Sequence, residues 1–275
     1  MHTITGQEIT GQGITGRTRV FAILGDPIAQ VKAPQGLNRI MAERGVDGVM
    51  VPLHVAAADL ATVLSGLRAV RSFGGAIITV PHKTAIVPLL DQVSEAARLV
   101  GAVNAVRREA DGRLVGEILD GAGFVAGLRS AGHEPRGRSA YLAGAGGAAN
   151  AIAFALAEAG VSRLTVHNRT AARVEDLFAR LRRLVPDLPL ALGTPDPAGH
   201  DLVVNATSLG LRPDDALPLD PAGLTPDQLV AEIIMQPAET LLLKAAAARG
   251  CRTHPGWPML EGQLALMADF LQMRP

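Results

Sequence analysis

Short unbroken apolar runs alternate with amphipathic stretches along most of the chain, and that alternation predicts strands followed by helices. Val20-Phe21-Ala22-Ile23-Leu24, stopped by Gly25-Asp26-Pro27, has the pattern of a buried strand. Val49–Leu53 and Gly75–Val80 repeat it. Residues 35–44 read as a helix ended by Gly45. Residues 56–70 read as another, with Leu60, Val63, Leu64 and Leu67 at three- and four-residue spacing. Pro81 is expected to open the next helix, where proline is tolerated best. Ala102–Arg107 and Leu114–Ile118 look like two further strands around an Asp111-Gly112 turn. A second series follows Asp120: helix 121–131, strand Ala140–Ala143, a helix to Ala159, strand Leu164–His167 and helix 170–184. It continues with strands Asp201–Asn205 and Leu229–Ile234 and helix 238–249. A last helix, about 257–273, is longer than that series needs and is expected to pack on the first domain. Strands alternating with helices predict parallel βαβ units.

Before Val20 the chain repeats Ile-Thr-Gly at Ile4, Ile9 and Ile14. A five-residue period makes no apolar face and is too short for a solenoid. Residues 1–19 therefore read as a flexible leader, with the last copy a candidate to pair with a sheet edge. The 275 residues, 48% hydrophobic and 19% charged, suffice for a sizeable core in one large domain or two smaller ones. That composition excludes a disordered chain. The 26 basic and 26 acidic side chains balance, which argues against nucleic acid as the main partner. One cysteine, Cys251, cannot close an intrachain disulfide and suits a reducing, cytoplasmic setting. No apolar run reaches the roughly 18 residues of a membrane span, and no basic-then-apolar segment reads as a signal peptide.

Gly144-Ala145-Gly146-Gly147-Ala148-Ala149 follows a strand, opens a helix and satisfies Gly-x-Gly-x-x-Ala. The first glycine permits the tight turn and the second lets backbone approach a pyrophosphate. The helix N-terminus supplies free N–H groups and positive dipole. An acidic residue about 20 positions on would bind a ribose 2′-hydroxyl. Here the next strand ends in Asn168-Arg169-Thr170, with Arg173 a helical step later. Two guanidiniums and no carboxylate favour a 2′-phosphate, hence NADP. Metal catalysis has no support, because the seven histidines are scattered without ligand spacing. Gly-x-Ser-x-Gly is absent, so a hydrolase elbow has none either.

From Val20 nearly to its end the chain resembles the shikimate dehydrogenase family. The resemblance is carried by Gly25–Ala29, Thr79-Val80-Pro81-His82-Lys83, Gly101–Asn104, Asp120-Gly121, Gly144–Ala148, Asn168-Arg169-Thr170, Asn205-Ala206-Thr207-Ser208, and Met259-Leu260 through Gln263. It implies an α/β protein of two domains: an N-terminal α/β substrate domain completed by the C-terminal helix, and a Rossmann-type NADP domain. In this chain these are residues 20–119 plus 256–275 and residues 120–255. The implied cofactor residues are Gly144, Ala145, Gly146, Gly147, Ala148, Asn168, Arg169, Thr170, Arg173, Asn205, Ala206, Thr207, Ser208, Ile233 and Gly256.

The implied reaction is hydride transfer between NADP and a ring carbon bearing a hydroxyl or ketone. Such a step needs a proton acceptor or donor beside the oxygen. The resemblance assigns that duty to Lys83 and Asp120, which the residues alone would leave as a solvated lysine and a helix N-cap. Thr79, Asn104 and Gln263 remain as partners for substrate hydroxyls. Elsewhere the pattern departs from the family. Val31 and Ala33 stand for two serines of a Ser-x-Ser-Pro segment, Ile77 and Ile118 for asparagines, and Met235 for a tyrosine. Each lost hydrogen bond typically costs about 0.5–1.5 kcal/mol, so shikimate itself fits poorly unless Gln30, Lys32 or His82 replaces the carboxylate anchor. Three readings stand: an NADP-dependent oxidoreductase for a small cyclic substrate less polar than shikimate; shikimate dehydrogenase proper with a relocated anchor; and a non-catalytic NADP-binding regulatory protein. The partners expected are that small substrate and a second copy in a homodimer, with neither nucleic acid nor membrane.

Overall fold

The computed structural model describes residues 13–275, so Ile4, Ile9 and most of the presumed leader lie outside the described residues. Ile14 is exposed and joins no strand. The next residues form a turn in which Thr15 N donates to Thr18 Oγ1 at 2.9 Å. Thr18 in turn donates to Asp47 Oδ1 at 2.7 Å, so a polar anchor precedes the first strand where an edge pairing was expected. The chain divides into two compact units, residues 1–119 with 264–275 and residues 120–263.

The first unit contains β1 (Arg19–Gly25), α1 (Ala33–Glu43), β2 (Gly48–His54), α2 (Leu60–Ala69), β3 (Phe73–Ile78), α3 (His82–Ala85), β4 (Gln92–Val93), α4 (Glu95–Val100), β5 (Ala105–Arg108) and β6 (Leu114–Glu117). Its sheet order is β2-β1-β3-β5-β6-β4. β1 pairs in parallel with β2 and β3, but β5 runs antiparallel to β3 and to β6. The sheet is therefore mixed: the expected turn at Asp111-Gly112 joins β5 and β6 as an antiparallel pair, and β5 also runs against β3 instead of continuing the parallel series. Several expected bounds also shift. Residues 102–104 precede β5 without joining it, and residues 57–59 form a single 3-10 turn before α2. Pro81 lies just before α3, which is only a four-residue helix, and the Val80-Pro81 peptide is cis. The short β4 and α4 gave no periodic signal.

Phe21, Leu24, Leu37, Met41, Met50 and Ile78 fill the core of this unit. β2 is an edge strand, and Asn38 of α1 covers it: its amide donates to Met50 O at 3.0 Å and accepts from Met50 N at 2.8 Å. Pro52 removes a further N–H from the same edge, which limits pairing with another chain. Residues 264–275 pack within this unit. Asp269 pairs with Arg44 at 2.8 Å, and the Arg107 guanidinium lies 4.9 Å from the Phe270 ring centre.

The second unit contains α5 (Asp120–Ser130), β7 (Ser139–Ala143), α6 (Gly147–Glu158), β8 (Arg163–His167), α7 (Ala171–Leu184), β9 (Leu190–Leu192), β10 (Leu202–Asn205), β11 (Leu229–Glu232), α8 (Leu241–Ala248) and β12 (Arg252–His254). Helix α9 (Trp257–Phe270) begins in it. All pairings of this sheet are parallel, in the order β12-β11-β10-β7-β8-β9. This is the doubly wound order, with β7 and β10 side by side where the winding reverses. Helix α8 starts three residues later than expected, at Leu241, with Thr240 as its cap. Helix α5 packs closely on both sides. A Cβ on Gly121 would lie 2.0 Å from Ala151 O, and one on Gly123 would lie 2.2 Å from Gln263 Cγ.

Candidate active site

The C-terminal ends of β7 and β10 meet at the point where the sheet reverses its winding, which is where open α/β sheets bind ligands. Gly144 follows β7 with φ +116, and a Cβ there would lie 2.9 Å from Ala206 O. The two chain segments are this close because residue 144 has no side chain. Gly146 precedes α6 with no side-chain cap, and a Cβ built on it meets nothing within 4 Å. No side chain caps the N–H groups of the first turn of α6, which leaves them for a ligand, as a phosphate cradle requires. Ala145 is buried, and Gly147 and Ala148 are half-buried in the first turn. Just after β8, Asn168 donates to Thr170 O at 3.0 Å, and Thr170 is the residue before α7. Arg169 and Arg173 are exposed, and neither joins an ion pair among the described residues. These residues fit a dinucleotide with a 2′-phosphate.

The turn after β10 is held from below by a buried polar network that the sequence reading missed. Asn205 Oδ1 accepts from Thr207 N at 3.0 Å and from Thr207 Oγ1 at 2.7 Å. Its Nδ2 donates to Leu209 O at 3.0 Å and to Glu232 Oε1 at 2.8 Å. Glu232, at the end of β11, also accepts from Thr240 Oγ1 at 3.2 Å and from Ile234 N at 3.4 Å. Burial pushes its carboxyl up to about 7, against the pull of those donors. The available signal was an acidic residue closing the apolar run Leu229-Val230-Ala231, where a buried strand should carry none. Ala206 is buried and Ser208 exposed. Ile233 is half-buried, and a Cβ on Gly256 would lie 2.4 Å from Ile234 O.

Lys83 is half-buried in α3, and its carbonyl accepts from Val103 N at 2.8 Å. Asn104, the next residue, is buried, and its Oδ1 accepts from Leu119 N at 2.8 Å. Asp120 is the first residue of α5 instead of its N-cap. It is 3% exposed, and its Oδ1 accepts from Gln263 Nε2 at 3.3 Å. Thr79 is half-buried, with its N–H on Leu24 O. His82 is no surface residue. It is fully buried and its Nε2 pairs with Val55 O at 2.8 Å, so packing occupies a side chain considered as an anchor. Ala33, Ile77 and Ile118 are buried, Val31 and Met235 half-buried. A groove of about 580 Å³ beside α1 takes in Val31 along with Ile28, Gln35, Asn38 and Pro52. Thr79, Lys83 and Asn104 do not line it.

Residues 23–106 match the family model of the shikimate dehydrogenase substrate binding domain. A shikimate dehydrogenase (NADP(+)) of Rubrobacter xylanophilus is 42% identical over 251 residues, covering 90% of this chain and 88% of that protein. Among solved structures, shikimate 5-dehydrogenase of Listeria monocytogenes, in complex with shikimate and NAD, superposes with TM-score 0.87 at 32% identity, covering 96% of this chain and 94% of that one. The ligand-free 5-ketofructose reductase of Gluconobacter sp. strain CHM43 gives 0.84 at 33%, covering 94% and 95%. With the glycine turn, the doubly wound sheet and the matching segments together, the chain belongs to the shikimate dehydrogenase family and is an NADP-dependent dehydrogenase acting on a CH–OH group.

Proposed function

We propose that the chain interconverts a ring hydroxyl and a ketone on a shikimate-like cyclic substrate that is less polar than shikimate and lacks its carboxylate. NADP supplies the hydride acceptor or donor when bound. Lys83 moves the alcohol proton at Nζ, and Asp120 supplies the carboxylate of the pair. The carbonyl of Lys83 accepts from Val103 N, and Leu119 N donates to Asn104, so two consecutive residues of the first unit hold the backbone at Lys83 and at Leu119, which supports the reading. In the same reading Thr79, Asn104 and Gln263 face the substrate's hydroxyls, and residues 144–148, Arg169, Arg173 and 205–208 hold the cofactor.

The observation that carries the substrate class is the set Val31, Ala33, Ile77, Ile118 and Met235. These side chains offer no donor where the family holds hydrogen-bonding groups. Burying a carboxylate among them without a partner is costly. The likeness to a 5-ketofructose reductase supports a substrate other than shikimate. The Rubrobacter relative favours a second reading, shikimate dehydrogenase proper with Lys32, half-buried ahead of α1, as the anchor. A non-catalytic role is set aside by the family. The deciding experiment is NADP reduction measured over shikimate, quinate and cyclic alcohols lacking the carboxylate. The carboxylate-free alcohols should be oxidised best. Shikimate oxidation with kcat/KM in the usual range of about 10⁴–10⁸ M⁻¹s⁻¹ would overturn the reading and favour the second.

A further inference from the structure

Among the buried ionisable groups, Glu232 stands apart: it is 0% exposed, no cation pairs with it among the described residues, and the residues assigned to chemistry do not include it. Its neighbours fix its role. Asn205 Oδ1 is committed to Thr207 N and Oγ1, so the Asn205 amide can turn only its Nδ2 toward Glu232. Thr207 Oγ1 accepts from Leu209 N at 3.0 Å, so its proton points to Asn205. Thr240 Oγ1 accepts from Leu243 N at 3.2 Å, so its proton points to Glu232. Each of these bonds is oriented by the next, and the chain of donors ends on one carboxylate. No other described side chain accepts from Asn205 Nδ2.

The geometry points to Glu232 as a positioning residue, the buried acceptor that holds the 205–209 turn beside Gly144 in its cofactor-binding shape. The inference rests on the reading of residues 205–208 as part of the NADP site. Without the carboxylate, Asn205 Nδ2 and the Thr240 hydroxyl lose a buried acceptor. Asn205 then keeps only its bonds to Thr207 and Leu209, which lie in the same turn, and the turn loses its side-chain tie to β11.

The test is NADPH titration by fluorescence on the full chain, with circular dichroism as a fold check. Glu232→Leu should weaken NADPH binding at least tenfold. Glu232→Asp, one methylene short of Asn205, should weaken it severalfold and decides the matter if the leucine variant does not fold. Glu232→Gln, which keeps an acceptor oxygen, should stay within about threefold of the unaltered protein. NADPH affinity unchanged in folded Asp or Leu variants, or a glutamine variant as weak as leucine, overturns the proposal. Asn205→Leu separates the two levels. If it too leaves NADPH binding unchanged, the cofactor reading of the turn fails; if it alone weakens binding, only the role of Glu232 does.

Discussion

Asn104 accepts the backbone N–H of Leu119 on its side-chain oxygen at 2.8 Å, while Val103 just before it donates to the carbonyl of Lys83. One buried dipeptide thus fixes the backbone at Lys83 and at the residue preceding Asp120. Lys83→Ala should lower kcat by roughly 10²–10⁴, with NADP affinity almost unchanged. Asn104→Ala keeps both members of the pair but frees Leu119, and should lower kcat by about tenfold, near the loss of one well-placed hydrogen bond. Steady-state kinetics on the best substrate of the screen decides both. Full activity in the Lys83 variant would reject its assignment.

Arg169 and Arg173 stand at the end of β8 and in the first turn of α7, exposed and without ion-pair partners among the described residues. Replacing both with serine should raise the NADP KM at least tenfold and leave the NAD KM within about twofold, the loss expected from two charge-assisted contacts. Equal use of NAD and NADP by the unaltered protein counts against the assignment.

Val31→Ser with Ala33→Ser should raise kcat/KM for shikimate relative to a carboxylate-free alcohol. Both positions lie around the start of α1, where a serine hydroxyl costs the helix little. Ile77→Asn is the less useful variant, because residue 77 is buried near the end of β3 and an unpaired amide there would cost about 1–3 kcal/mol in stability. A double-serine variant with no gain on shikimate would show that these positions do not face the substrate.

Two buried groups give opposing pH slopes to stability. Glu232 is raised from 4.5 to about 7 by burial, so its neutral form is favoured in the fold; its contribution is complete below 4.5 and lost as pH rises through 7. His254 is lowered from 6.5 to about 4, by burial first and by the charge of His133 second; its contribution is present above 6.5 and lost as pH falls through 4. Between 4.5 and 6.5 the slopes oppose each other at about 1.4 kcal/mol per pH unit each. Glu232→Gln removes the falling slope. Denaturation midpoints measured across that interval should be nearly level for the unaltered protein and should rise with pH for the variant. Parallel profiles would contradict the assignment.

The glycine turn, the core of the doubly wound series behind it and the longer strands of the first unit were legible in the order of residues, because strand and helix periods and the demand for glycine at a tight turn are local properties; the two- and three-residue strands β4, β9 and β12 were too short to show a period. So was the absence of a carboxylate at the end of β8, the place that reads the ribose. The Asp111-Gly112 turn made the β5–β6 hairpin legible, but not the antiparallel pairing of β5 with β3, because a strand's direction relative to a distant neighbour does not depend on its own alternation of side chains. His82 read as a surface residue from its place in a short helix, yet the fold carries its ring to Val55, 27 residues away in the chain. Glu232 and Asn205 sit 27 residues apart and meet because β10 and β11 pair in register, placing the two residues side by side. Local sequence determined which segments become strands, helices and turns. Only the tertiary structure decided which polar side chains lost their water, and Asn205, Glu232 and His82 Nε2 are each held by a partner from a distant segment because an unpaired buried polar group is costly.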